Sequence, residues 1–324
     1  MNPVVKAPDR MEIFRHIFIV AGVFLLPGLH IAVFGWLYGL VPLLVFYYLS
    51  RFGRNAGGKY ILYGVIVALL VGTFLQITSQ ILLAMTLVPT GFIMARSVVQ
   101  KEAPPLAGLK GFAVLSISWF LVAGMVTVTE GGHPYSMLLL SINQGMDEAL
   151  KLYRENEKPS AESLYLVTQT FSQIKERLSQ LMPAILTSIA LFTVWLTMVL
   201  GNILLSKNAE QGAWPEYQYW QLPDKLIWSG IAAAVLALLP WPMPRTIGFN
   251  LLLIVSVIYC FQGLSIVLFF LNKWKAPLYI RSLLYVIIVF QSLGTLFLSV
   301  IGLADVWFDF RHRSSQDSNQ KKTL

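Results

Sequence analysis

Charge is scarce in this chain. Only 12% of its 324 residues are charged and 56% are hydrophobic, whereas a soluble domain carries about 25% charged residues to cover its surface. Cysteine is nearly absent: Cys260 is the one instance, so an intramolecular disulfide and a CxxC zinc site are both excluded. The four histidines His16, His30, His133 and His312 show no HExxH or other paired spacing, so no metal site is expected. Serines lie in apolar runs without a G-x-S-x-G setting. The basic, glycine-containing stretch 51–59 lacks the Gly-Lys-Ser/Thr ending of a phosphate loop and reads as a turn. No catalytic residue and no cofactor is expected.

What the chain has is length in apolar runs. A bilayer crossing needs about 20 apolar residues, because backbone groups in lipid must pair within the segment. Residues 16–50 are too long for one crossing. Pro27-Gly28 and Gly35 break them, and both flanks are basic (Arg15, then Arg51, Arg54 and Lys59). Like flanks imply an even number of crossings, so spans are expected near 16–33 and 35–50, the second short enough to be re-entrant. Residues 60–95 divide in the same way at the polar stretch 76–80, giving spans near 60–75 and 80–96. A fifth span over about 111–129 stops at Glu130-Gly131-Gly132-His133-Pro134, a strong breaker. Further spans are expected near 183–205, 226–240, 247–271 and 281–304. The sum is an all-α polytopic membrane protein of about nine transmembrane helices, with eight or ten as alternatives. The basic start followed by an apolar run reads as an uncleaved signal-anchor. No lipidation motif is visible.

Residues 134–181 differ in kind. Apolar side chains recur at helical spacing from Leu139 to Tyr153 and again from Leu164 to Leu181, on either side of a turn at 156–160 with Ser160 as N-cap. An amphipathic helical hairpin outside the membrane is expected. The division is 1–133 with five spans, 134–181 the hairpin, 182–310 with four spans, and 311–324 a polar, disordered tail. The net charge of +8 reads as the positive-inside pattern rather than as a nucleic-acid surface. With a cytoplasmic N-terminus, five inside segments hold 14 of the 24 Lys and Arg residues, and the outside turns near 34 and 76–80 hold none. One conflict stands: nine spans place the C-terminus outside, against the preference of Arg311, Arg313, Lys321 and Lys322.

Ionisable and amide groups within spans are the candidate site residues, because lipid penalises them. His30, Gln76, Gln80, Glu130, His133, Asn250 and Gln262 are the candidates for ligand binding. Each has a plainer alternative: an interfacial histidine, a glycine-rich helix terminator at 130–134, or amides that bond across helices as packing glue. Asn202, Asn272 and Gln291 share that last reading. Gly35 and Gly39 form a GxxxG, and Trp214, Trp220 and Trp228 read as an interfacial aromatic belt.

Three motifs carry a resemblance: Trp220-Gln221-Leu222-Pro223-Asp224-Lys225-Leu226-Ile227-Trp228, Phe261-Gln262-Gly263-Leu264-Ser265, and Gly302-Leu303-Ala304-Asp305-Val306-Trp307-Phe308-Asp309-Phe310-Arg311. With them the chain resembles the bacterial membrane-protein family typified by YybS, the domain-of-unknown-function 2232 family, over nearly its whole length. The family-motif residues to watch are Trp220, Pro223, Trp228, Gly263, Asp305, Asp309 and Arg311. The resemblance implies a multi-pass protein of the bacterial cytoplasmic membrane. It also implies a distant similarity to the substrate-binding S components of energy-coupling-factor transporters, whose six helices surround a small-molecule pocket. Those components dock through an Ala-x-x-x-Ala patch on the first helix. Here that helix reads Ala21-Gly22-Val23-Phe24-Leu25, and Gly28 to Ala32 is the nearest small-residue pair.

Two functional expectations follow. One is a small-molecule-binding or transport component with a cavity among the first six spans. The other is a scaffold or assembly partner working through the hairpin. An enzyme is not expected, because few buried ionisable groups are available for acid–base work. The expected partners are the lipid bilayer and either a small-molecule ligand or a membrane-protein partner, with no nucleic acid.

Overall fold

The computed structural model describes residues 10–157, 160–208, 212–290 and 292–311. Among these the chain is helical with no strand. Six helical stretches are long and apolar enough to cross a membrane, and shorter apolar helices join them. The first is α1 (Arg10–Leu29). After it, α2 (Ile31–Phe34) and a 3-10 helix Gly35–Leu40 turn the chain back. The segment expected at 35–50 is thus part 3-10 and part α. Its Gly35/Gly39 pair mediates no close packing, since a Cβ on Gly39 would meet nothing within 4 Å.

Helix α3 (Val41–Phe74) is broken at Gly53, where φ is 75°. Only a residue without Cβ adopts that conformation cheaply, and it bends the chain where the basic turn was expected. Beyond the break Gly57 lies against the Tyr48 carbonyl. Helices α4 (Thr78–Met85) and α5 (Val88–Val99) form one broken crossing. Helix α6 (Pro104–Glu130) ends at Gly131, whose left-handed φ of 70° caps it, as the breaker at 130–134 implies.

Helix α7 (Pro134–Glu157) opens the insertion, and Ser160 caps the next helix, accepting the Ser163 N–H at 3.2 Å. Helix α8 (Ala161–Asn208) then runs unbroken for 48 residues, so the second arm of the hairpin and the following span are one helix rather than two elements. Pro183 lies inside it and removes the N–H that the Ser179 carbonyl would accept. Two outside groups repair the ladder. Tyr135 Oη donates to the Ser179 carbonyl at 3.2 Å. The Asn250 amide bridges the next rung, accepting from Ala184 N–H at 3.0 Å and donating to the Gln180 carbonyl at 2.8 Å.

Helices α9 (Ile227–Leu238), α10 (Pro242–Lys273), α11 (Leu278–Phe290) and α12 (Ser292–Phe308) complete the fold. The expected ninth span at 281–304 is therefore two helices. Bonds from Ser256 to Ser299, Gln262 to Asp305 and Arg311 to Ser265 advance in the same direction along both chains. Helices α10 and α12 are parallel, and α11 is the return between them. Arg311 therefore ends beside the end of α10 that bears Lys273, not at the opposite face, while Arg313, Lys321 and Lys322 of the C-terminal charge conflict lie outside the described residues. The tail beyond Arg311 and the turn residues 158–159 lie outside the described residues, as does Gln291.

Candidate functional site: a roofed cavity and its buried polar network

The three motifs far apart in sequence meet at one place. Between α8 and α9 the chain from Gly212 to Leu226 folds over the end of the bundle rather than looping away from it. Trp214, 8% exposed, is its anchor. Its ring stacks on Phe46 with centroids 5.5 Å apart and its indole N–H donates to the Glu102 carbonyl at 3.0 Å. Asn202 in α8 accepts from the Trp214 N–H at 2.9 Å and donates to the Pro215 carbonyl at 3.1 Å. Trp214 is thus a buried loop anchor and not a belt residue, whereas Trp228, 69% exposed, suits the belt. Asn250 bonds across helices, from α10 to α8, as the packing-glue reading has it, whereas Asn202 bonds the loop at Trp214 and Pro215.

Past this anchor, residues 217–223 roof a cavity of about 310 Å³. Helix α6 supplies Gly108 and Phe112 to its walls, α8 supplies Val194, Trp195 and Met198, and α10 supplies Phe261. Trp195 and Phe261 are stacked at 4.7 Å. Tyr217 pins the roof to both helices: it accepts from Trp195 Nε1 at 3.0 Å and donates to the Phe261 carbonyl at 2.5 Å. Burial pushes the Tyr217 phenol well above its ordinary range, with the Trp195 bond opposing, so it stays a neutral donor.

Behind the roof lies a polar network made almost wholly of motif residues. Gln262 (7% exposed), Asp305 (8%) and Arg311 (6%) are all buried. Gln262 accepts from the Leu222 N–H at 3.3 Å and donates to Asp305 Oδ2 at 2.9 Å. The other Asp305 oxygen accepts from the Phe310 N–H at 3.1 Å. Arg311 donates to the Trp220 carbonyl at 2.8 Å and to Ser265 Oγ at 2.6 Å, with Asp305 Oδ2 4.0 Å away. Burial lowers the Arg311 pKa while Asp305 opposes it. A guanidinium keeps its proton regardless, so a cation sits buried beneath the roof, held by a carboxyl group, a hydroxyl and a backbone carbonyl. Its Nε has no partner among the described residues. A buried ion pair of this kind fixes geometry more than it adds stability.

Backbone approach makes the network possible. A Cβ on Gly263 would overlap the Leu298 carbonyl, and one on Gly302 would overlap the Tyr259 carbonyl. The two glycines let α10 and α12 touch main chain to main chain, which brings Asp305 within reach of Gln262. Pro223 lines the cavity and precedes the 3-10 turn Asp224–Leu226. Asp309 is the positive-φ residue (φ 40°) that turns the chain from α12 toward Arg311.

The other candidates are elsewhere. His30 is exposed in the turn between α1 and α2, and its carbonyl caps α2. Gln76 is exposed with a left-handed φ of 59°. Gln80 is half-buried against Gly28, with its carbonyl accepting from Tyr38 Oη at 3.3 Å. That contact uses Gly28 inside the fold. His133 is exposed in the breaker, and Glu130 is the last residue of α6, its side chain outside what is described. These residues do not meet one another around a common space. The cavity lies between α6, α8 and α10, not within the first six spans alone. Trp195, Met198 and Phe112 were illegible as site residues, because aromatics and methionines in a span look alike whether they pack or line a cavity.

Apolar crossing helices, a shell of exposed apolar side chains and a buried charged cluster define the chain as a polytopic α-helical membrane protein. It belongs to the family described as "Predicted membrane protein (DUF2232)", which matches residues 17–306. No curated protein and no solved structure matches the chain.

Proposed function

We propose that this protein is a small-molecule-binding membrane component, not an enzyme, and that its site is the cavity beneath residues 217–223. The observation that carries this is the cavity itself: about 310 Å³, within the range of ligand sites, and closed by a segment that the buried network holds in place. The orientation proposed is the roof on the cytoplasmic side of the bacterial inner membrane. Arg51, Arg54, Lys101 and Lys225 gather at that end of the bundle, as the positive-inside rule requires. Whether binding serves transport, as the S-component similarity suggests, is a further step that a vesicle uptake assay decides. Native mass spectrometry of the detergent-purified protein tests the binding. A molecule is expected to co-purify with the native protein and to be lost from Gly108→Leu, whose added side chain enters the cavity. Repeated isolation of an empty native protein would overturn the reading.

A second reading has its own observation. In the hairpin, Leu140, Leu152, Tyr165 and Leu166 are exposed, and apolar side chains outside lipid call for a cover. On this reading the hairpin is a scaffold surface for another membrane protein. Deleting 137–178 would change the set of cross-linked partners; an unchanged set would remove the idea.

A further inference from the structure

The lining of the cavity says what class of molecule fills it, given the binding reading above. We infer that the occupant is the hydrocarbon chain of a membrane lipid, admitted sideways from the bilayer between α6 and α10.

The buried polar atoms around the cavity are already used. The Gln262 amide is spent on Leu222 and Asp305, Ser265 Oγ on Arg311 and the Trp220 carbonyl, and Tyr217 Oη on Trp195 and Phe261. Among the described residues, the buried side-chain groups that line the cavity are thus each already bonded, and a polar ligand would have to compete for them or lose its own hydration. Among the described lining residues, Gln221 is the exposed polar side chain open to a head group. The rest of the wall is carbon from Phe112, Val194, Met198 and Phe261.

The opening points into lipid. Helices α6 and α10 both pack on α8 and hardly on each other, which leaves a gap in front of α8. Leu109, at the α6 edge of that gap, is 63% exposed on a membrane-crossing helix. An apolar space holds water poorly, and left empty it forfeits dispersion contacts along its whole lining. Bilayer hydrocarbon is the one apolar material present at the mouth in excess. Because lipid is as apolar as the wall, no hydrophobic gain drives entry. Selection therefore falls on the shape of the chain and on a head group that stays beside Gln221.

Photolabelling decides the matter. Native protein, Gly108→Leu, and Leu191→Trp as a second filling variant from the opposite wall are reconstituted in phosphatidylethanolamine–phosphatidylglycerol vesicles. These contain a trace of phospholipid with a mid-chain diazirine. After irradiation, labels are expected on Val194, Met198 and Phe261 of the native protein. They should fall several-fold in either variant, while labelling of the outward residues Leu70 and Phe120 stays constant. Labels confined to outward residues overturn the inference. If native mass spectrometry then shows a non-lipid molecule lost on filling, the binding reading survives without its lipid. If nothing co-purifies and the interior stays unlabelled, both fall.

Discussion

The α10–α12 end of the molecule and the α7–α8 hairpin are built from the same material and finished in opposite ways. At α10–α12, glycines bring two main chains into contact and a cation, a carboxyl group and an amide are buried together. In the hairpin, α7 buries no residue at all. Among the described residues its polar ties to α8 are the ion pair of Lys175 to Asp147 at 2.5 Å, an Arg154 to Thr168 bond at 3.4 Å and the Tyr135 bond at its base. The first arrangement fixes one geometry, because each buried polar atom has few partners it could exchange for. The second leaves apolar side chains and solvated charges free to rearrange. A roof that must sit over a cavity needs the first kind of support; a surface that meets something else tolerates the second.

Breaking the network should have the largest effect. Arg311→Met leaves Asp305 without its buried countercharge and removes one of the two donors to the Trp220 carbonyl, and losing one partner of a buried pair costs about 3–5 kcal/mol. A large fall in melting temperature in detergent is expected, together with faster proteolysis at 212–226. Equal protease resistance in the variant would contradict the latch. Gly263→Leu comes next: it forces a side chain into the Leu298 carbonyl, and overpacking costs about 1–3 kcal/mol. Its signature should be loss of cross-linking between cysteines placed on α10 and α12. Asn250→Ala and Tyr135→Phe should act more weakly, by about 1 kcal/mol each, by exposing the Pro183 break. Hydrogen exchange at 179–184 should rise in both. Smallest of all is Lys175→Ala in the hairpin, where a solvated pair contributes about 0–1 kcal/mol; a melting shift as large as that of Arg311→Met would erase the contrast between the two regions.

The legibility of the chain divides along the same line. Gly53 and Gly131 stood where turns were expected, because cationic flanks and glycine-rich breakers are local signals. Ser160 was readable as an N-cap for the same reason. The split of 281–304 into α11 and α12 was missed although Gln291, Ser292, Gly294 and Thr295 interrupt the apolar run where it falls, because amides and small residues within a span also serve helix packing. The charge conflict of Arg311, Arg313, Lys321 and Lys322 also hinted at it. Gln262, Asp305 and Arg311 could be singled out one by one from their motifs, but their meeting could not, because it depends on the parallel docking of α10 and α12 through Gly263 and Gly302. Asn250 was ambiguous between ligand and glue until the Pro183 break in a different helix supplied its partners.

Scarce charge and apolar runs of bilayer length pointed by themselves to helices in lipid, because a segment of that length pairs its own backbone only as a helix. Which side chains became walls, which became a latch, and where space was left between α6 and α10 were decided by tertiary packing. Contacts among residues a hundred positions apart depend on relative helix placement, and no local pattern encodes that.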